Sequence, residues 1–268
     1  MPKSKVIVLG SGTSTGVPVV GCDCETCLSD NPKDHRLRTS IYISLEIGNK
    51  KPLGLLIDSP PDIRTQLLRS NITNVDGVLF THTHADHVNG IDDLRVFNFM
   101  SRQELPIYGS PSTIKALKAT FPYVFTTDPS YEGGSPPKLA PTVIEHDVSF
   151  ALDGVEVMPI ELEHGKTIVT GYRVHDFAYL PDCSFIPESS LEKLSGLSVL
   201  IIDGLRDRPH KTHFTQQEAV EVIEKLKPKK SFLTHISHEV LHERRQAEIA
   251  SWTNLDVSLA YDQLEIDF

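Results

Sequence analysis

Apolar residues along this chain come in short runs, broken by Gly, Pro and Asp, which is the pattern of strands rather than of long helices. Strands are predicted at Lys5–Leu9, Ile41–Ile47, Leu53–Asp58, Val75–Phe80, Pro106–Tyr108, Val155–Leu162, Ile168–Val174, Ala178–Leu180, Val199–Asp203, Ser231–Thr234 and Val257–Ala260. Two helices carry start signals. Ser110-Pro111 offers an N-cap followed by proline at the first helical position, and Thr215-Gln216-Gln217-Glu218 is a capping box opening an amphipathic run to Lys227. The stretch from Phe121 to Pro141, with Pro122, Pro129, Gly133, Gly134, Pro136 and Pro137 inside it, reads as one long loop, either an active-site flap or a plain insertion. No repeat, heptad or charged linker divides the chain, so residues 1–268 are expected to form a single domain of helices packed on sheets.

Charge and composition narrow the possible roles. With 26 basic and 36 acidic residues the formal charge is −10, so the chain as a whole lacks the cationic field that non-specific nucleic-acid binding needs. Runs such as Val6–Leu9, Leu53–Ile57 and Val199–Ile202 fall far short of the ~20 apolar residues that span a bilayer. Lys3 and Lys5 precede too short an apolar stretch for a signal peptide, which leads to the expectation of a cytoplasmic protein with reduced thiols. Histidine is the residue in excess: 12 of 268, about twice the ordinary share. Imidazole chemistry is the natural suspect.

The strongest motif is Thr81-His82-Thr83-His84-Ala85-Asp86-His87, directly after Val78-Leu79-Phe80. In extended chain, residues two apart face the same way, so His82 and His84 can share one ion, while a turn lets Asp86 and His87 reach a second. Two adjacent ions need further ligands, and His164, Asp182 and His235 each follow a predicted strand. Singly, each reads more readily as an ordinary turn residue. A second cluster, Cys22-Asp23-Cys24-Glu25-Thr26-Cys27, packs three thiols into six residues and in a reducing compartment argues for structural zinc, a redox role or a metal-free loop being the alternatives. Spacing alone leaves His35, Cys183 or His238 as its fourth ligand.

These motifs resemble those of the metallo-β-lactamase superfamily, whose ligand series runs His-x-His-x-Asp-His, then His, then a bridging Asp, then His. The resemblance implies a four-layer αββα sandwich, an α/β fold with the metals at one edge of its two sheets. It also implies that His82, His84 and His164 hold one ion, that Asp86, His87 and His235 hold the other, that Asp182 bridges them, and that Asp58 braces the histidine loop. Gly10-Ser11-Gly12-Thr13-Ser14-Thr15-Gly16, the Cys22, Cys24, Cys27 motif and Leu233-Thr234-His235-Ile236-Ser237-His238 look like the PhnP-type phosphodiesterase branch. By that resemblance His238 completes a Cys3His structural zinc site, which would place Ser11–Gly16 near the substrate.

His213 stands just ahead of the helix capped by Thr215, where an anion is favoured, and PhnP-type enzymes and tRNase Z have a His-x-Thr element at the corresponding place. The chain departs from tRNase Z in leaving no room between His164 and Asp182 for a long basic arm, and from glyoxalase II in lacking length after His235 for a helical domain. It departs from PqqB proteins in keeping the whole histidine series. The expected function is therefore that of a dinuclear metal-dependent hydrolase (Zn, Mn or Fe) acting on small cyclic phosphodiesters such as ribosyl or nucleoside cyclic phosphates. Asp86, Asp182 and His213 would carry the catalysis. Alternatives are a tRNase Z-like ribonuclease, another esterase or thioesterase of the same fold, or a non-catalytic zinc-stabilised binding protein. The expected partner is a small-molecule phosphodiester, with no membrane and no nucleic acid; a homodimer is compatible with this reading.

Overall fold

The computed structural model describes residues 4–48, 51–126 and 135–268. Six strands, β1 (Lys5–Gly10), β2 (Ser40–Leu45), β3 (Leu53–Ile57), β4 (Gly77–Leu79), β5 (Leu105–Gly109) and β6 (Leu139–Val143), build most of a first sheet. The next seven build a second sheet: β7 (Phe150–Leu152), β8 (Val155–His164), β9 (Thr167–Val174), β10 (Phe177–Leu180), β11 (Val199–Asp203), β12 (Lys230–Thr234) and β13 (Val257–Leu259). The last strand, β14 (Glu265–Asp267), returns to the first sheet beside β1, giving the orders β14-β1-β2-β3-β4-β5-β6 and β13-β12-β11-β10-β9-β8-β7. In each sheet an antiparallel half gives way to a parallel half, β3 to β6 in one and β10 to β13 in the other.

Strands buried on both faces explain the unbroken apolar runs. Leu55 and Ile57 enter the core between the sheets, while Leu56 between them meets the helices outside. Val199 and Ile201 likewise face the other sheet, and Leu200 and Ile202 face outward to a second layer of helices. On the first sheet that layer comprises α1 (Ile63–Arg69), α2 (Ala85–Val88), α3 (Arg95–Ser101) and α4 (Pro111–Thr120), through residues such as Ile63, Phe97 and Leu117. On the second it comprises α5 (Glu188–Glu192), α6 (Gln216–Leu226) and α7 (His242–Trp252), through Ala219, Ile223 and Ile249 among others. The arrangement is helix, sheet, sheet, helix, the expected αββα sandwich.

Both predicted helix starts are present: the Ser110 hydroxyl accepts from Thr113 N at 3.3 Å, and the Thr215–Glu218 capping box closes in both directions. The single loop expected over Phe121–Pro141 is corrected. Residues 127–134 of it lie outside those described, but Pro122–Val124 form a 3-10 turn and Leu139–Val143 form β6. Pro141 disguised this strand; proline cannot donate to a ladder, and β6 tolerates it as the last strand of its sheet. Helix α7 carried no start signal because its cap comes from across the chain: Asp34 Oδ1 accepts from His242 N at 2.7 Å. Among the described residues no helix is long and apolar enough to cross a membrane.

Candidate metal centre

Parallel strands that end at one edge place their following residues together. His82 and His84 follow β4, Asp86 and His87 lie on α2 immediately after, His164 ends β8, Asp182 follows β10, and His235 follows β12. Asp182 and His235 turn sharply there, with φ of 50° and 60°, as does Asp58 after β3 with 63°. A left-handed conformation costs a non-glycine residue on the order of 1–2 kcal/mol, so the surrounding fold must hold each of them in place. For Asp58 it does so visibly, since its backbone N donates to Leu79 O at 3.0 Å while its carboxylate takes Thr81 N and Thr81 Oγ1, each at 2.8 Å.

The side chains fall into two groups that share Asp182: His82, His84, His164 with Asp182, and Asp86, His87, His235 with Asp182. In each group one ligand atom per residue lies within 4.8 Å of all the others. Asp182 Oδ1 is 3.2 Å from His87 Nε2, and Asp182 Oδ2 is 3.4 Å from His235 Nε2 and 3.7 Å from His82 Nε2. Asp86 Oδ2 is 3.5 Å from His87 Nε2 and 3.6 Å from His235 Nε2. Ligands about 2.1 Å from a tetrahedral ion stand roughly 3.4 Å apart, so these separations suit a metal better than direct hydrogen bonds. His82 Nε2, His87 Nε2, His235 Nε2 and Asp182 Oδ1 are buried with no hydrogen-bond partner among the described residues. Four orphaned polar atoms aimed at one another are costly unless a cation satisfies them.

Several imidazoles are oriented through their other nitrogen, as metal-binding histidines usually are. His87 Nδ1 meets Asp58 Oδ2 at 2.7 Å, His164 Nδ1 donates to Thr212 O at 2.6 Å, and His82 Nδ1 lies 3.0 Å from Thr81 Oγ1. Each contact leaves Nε2 free for a ligand role. Burial, reinforced by His87, pushes the His82 imidazole well below its ordinary pKa. Burial also works against charge on His87, but the carboxylates of Asp182 and Asp58 outweigh it and raise that group. Asp182 stays ionised despite its burial because His235 and His87 face it.

Asp203 is a buried neighbour of the two ligand groups that the sequence reading passed over. It ends β11, fully buried, with Oδ2 2.6 Å from His213 Nδ1 and 2.9 Å from Cys183 N. Cys183, one of the candidate fourth ligands for the cysteine cluster, instead supplies a backbone donor that fixes Asp203 while its thiol packs in the core. Burial opposes charge on His213, yet Asp203 prevails and raises it to about 9. The His213 ring lies 4.6 Å from those of both His164 and His235, so it reaches the two ligand groups at once. The only forewarning was an acidic residue closing an otherwise apolar strand.

Cys22, Cys24 and Cys27 gather round His238, with Sγ to Nδ1 distances of 3.3, 3.4 and 3.8 Å. Tetrahedral zinc with sulfur at about 2.3 Å needs separations of this order. Burial would raise the Cys24 thiol, but donors from Cys27 and His238 bring it down to about 7; burial dominates at Cys27 and pushes it up to about 11. The other two fourth-ligand candidates lie elsewhere, His35 Nε2 at 2.8 Å from Ser29 O and Cys183 in the core. The glycine-rich loop passes tightly beside this wall: a Cβ at Gly10 would lie 2.1 Å from Arg38 O, and Ile236 N donates to Ser11 O at 2.8 Å, one residue after His235.

The model of the β-lactamase superfamily domain matches residues 54–236. A protein from Porphyromonas gingivalis named Octanoyltransferase is 37% identical over 246 residues, 91% of this chain but 48% of the relative, so the chain spans about half the length of that protein. Coenzyme PQQ synthesis protein B from Ruegeria pomeroyi is 24% identical over 229 residues, covering 75% of this chain and 72% of the relative. Among solved structures, a diphosphatase from the PhnP family superposes with a TM-score of 0.88 at 37% identity, over 100% of this chain and 98% of the other. Zinc-bound PqqB from Methylobacterium extorquens shares the fold with a TM-score of 0.77 at 19% identity, over 98% of this chain and 100% of the other. The chain belongs to the β-lactamase superfamily, with the metallo-β-lactamase fold of a hydrolase family and in its PhnP branch.

Proposed function

We propose that this protein hydrolyses small substrates that carry a diesterified phosphate, cyclic phosphodiesters and diphosphate diesters alike. His82, His84 and His164 would hold one divalent cation, Asp86, His87 and His235 a second, with Asp182 between them, and Cys22, Cys24, Cys27 and His238 a structural zinc. Imidazole and carboxylate donors accept Zn, Mn or Fe. Two such cations supply Lewis acidity, making a water nucleophilic near neutral pH and neutralising charge on the phosphate.

The observation that carries the reading is the Asp203–His213 pair beside both ligand groups. With Nδ1 committed to Asp203, whose carboxylate favours the protonated ring, His213 presents Nε2–H to whatever lies over the cluster. An N–H donor there, backed by a carboxylate, suits a phosphate oxygen in the ground state and a leaving alkoxide that needs a proton. Asp86, held below the usual carboxylate range by His235 and His87 despite its burial, stays ionised and would orient the attacking water. Asp58 and Thr212 keep His87 and His164 in place. The likeness to a PhnP-family diphosphatase at 37% identity supports a phosphorus centre.

One finding favours a second reading, hydrolysis of an acyl thioester: the Porphyromonas gingivalis relative is named Octanoyltransferase. Turnover of bis-p-nitrophenyl phosphate and of an octanoyl thioester by the metal-loaded protein separates the two. The diester should be cleaved, and His213→Ala should lower its kcat by about 10²–10⁴. Turnover of the thioester alone, or an undiminished His213→Ala, overturns the proposal.

A further inference from the structure

His235 is a buried ligand histidine with no brace of its own. Its Nδ1 has no hydrogen-bond partner among the described residues, whereas His82, His87 and His164 are oriented through Nδ1 by Thr81, Asp58 and Thr212. Its backbone is strained, at a φ of 60°. A ring that no side chain steers takes its direction from the main chain beneath it, so whatever fixes residues 234–236 fixes the ligand.

On one side of that segment Gly204 N donates to Thr234 O at 3.0 Å. On the other runs the glycine-rich loop: Ile236 N donates to Ser11 O at 2.8 Å, and Thr13 N to Ile236 O at 3.2 Å. The loop rests in turn on the next segment, with Gly12 N donating to Leu37 O at 2.8 Å, so Gly12 is bridged to Arg38 on one flank and to Ile236 on the other. A Cβ at Gly12 would lie 2.8 Å from Arg36 O, which shows how closely the two backbones pass. One side chain joins both. Asp262, in the crossover from β13 to β14, takes Ser11 N at 3.0 Å and Ser11 Oγ at 2.9 Å on Oδ1, and Leu37 N at 2.9 Å on Oδ2. Its side chain is 2% exposed, and Arg69 Nη1 stands 3.7 Å from Oδ2. Burial pushes the carboxyl up to about 6, although its donors from Leu37 and Ser11 oppose this. Keeping a carboxylate there is costly, yet a neutral amide could not accept on both sides, because its nitrogen only donates.

We infer that Asp262 is a positioning residue of the metal centre: by holding Ser11 and Leu37 it fixes the glycine-rich loop, and through the bond from Ile236 to Ser11 it fixes the backbone that aims His235 at the second cation. Asp262 does for His235 through the main chain what Asp58 does for His87 through the ring. It acts at a distance, as a support for a ligand. Replacing one of its acceptor oxygens by an amide nitrogen sets N–H against N–H in a buried place, and the loop must shift to relieve it. That shift reaches Ile236 first and His235 next, while His82, His84 and His164 stand on other segments. The inference rests on the dinuclear reading of the centre and is independent of the substrate.

The test follows the release of cations from the metal-loaded full chain as EDTA is titrated in. Asp262→Asn should give up one of about three ions at a chelator concentration about tenfold or more below the parent's, with the other two leaving as in the parent, since losing the support of a ligand costs about 10- to 100-fold in metal affinity. Ser11→Ala, which removes the hydroxyl contact and keeps the backbone one, should shift the same ion the same way by less, and it decides the matter if Asp262→Asn does not fold. Ile249→Ala in α7, destabilised without touching this chain of contacts, should release its ions as the parent does. All ions leaving early together, no selective shift in either variant, or the same shift in Ile249→Ala overturns the inference. If the parent itself holds only one ion, the dinuclear reading fails, and amide hydrogen exchange then decides the positioning role: faster exchange at Ile236 N in the Asp262 variant upholds it and equal exchange refutes it.

Discussion

His213 owes its raised pKa to one neighbour, and the contrast with His242 shows how far a single environment decides what an imidazole does. His213 meets the Asp203 carboxylate at 2.6 Å and titrates near 9, whereas His242, 2% exposed and facing Lys33 and Arg36, is held at about 4, chiefly by burial. Unfolded, His242 titrates near 6.5, so its neutral folded form contributes stability in full above that pH and loses it as pH falls toward 4, about 3 kcal/mol in all. The midpoint temperature of the parent should therefore fall more steeply between about pH 7 and pH 4.5 than that of His242→Phe. Parallel curves would contradict the burial of a neutral imidazole there. At this scale legibility followed chemical distinctiveness. The histidine and cysteine motifs stood out because few strand-end loops carry such residues, whereas Asp203 looked like the end of a strand and nothing in the sequence marked Arg36. Arg36 is in fact 1% exposed, spanning from Asp34 to the carbonyls of Ser237 at 3.2 Å and Val240 at 2.8 Å.

That buried arginine belongs to an element, the N-terminal loop, that exists to be tied down. Asp34 bonds Ser29 at 2.7 Å, caps α7 at His242 and pairs with Arg36, so it joins the cysteine loop, the start of α7 and the wall after His235. Zinc at Cys22, Cys24, Cys27 and His238 would close the same junction by coordination. Cys24→Ser should lower the metal content from about three ions per chain to about two, and should lower the midpoint temperature as the loop loses its anchor. Unchanged metal content would show that the thiols hold no ion. Elements whose signals lie in their own residues were legible, α4 and α6 through their caps and the apolar strands through their runs. Those supported from elsewhere were not: α7 borrows its cap, β6 hides behind Pro141, and β7 and β14, of three residues each, are too short to show a period.

For the whole molecule, the arrangement of two sheets matters more than any motif. Each sheet runs from an antiparallel half into a parallel half, so the carboxyl ends of β3 and β4 in one and of β10, β11 and β12 in the other open onto the same edge. Residues spread from Asp58 to His238 meet there, which no local reading of spacing could establish. Asp182 occupies the middle, with one oxygen toward His87 and the other toward His82 and His235. Its carboxylate is the single group common to both ligand sets, so removing it should dismantle the paired site while leaving six other ligands. The most direct measurement is turnover of a panel of cyclic and linear phosphodiesters by the metal-loaded parent and by Asp182→Ala. The parent should cleave members of the panel, and the variant should be slower by about 10³ or more. Equal rates in the two proteins, or no turnover by the parent, would contradict a dinuclear phosphodiesterase.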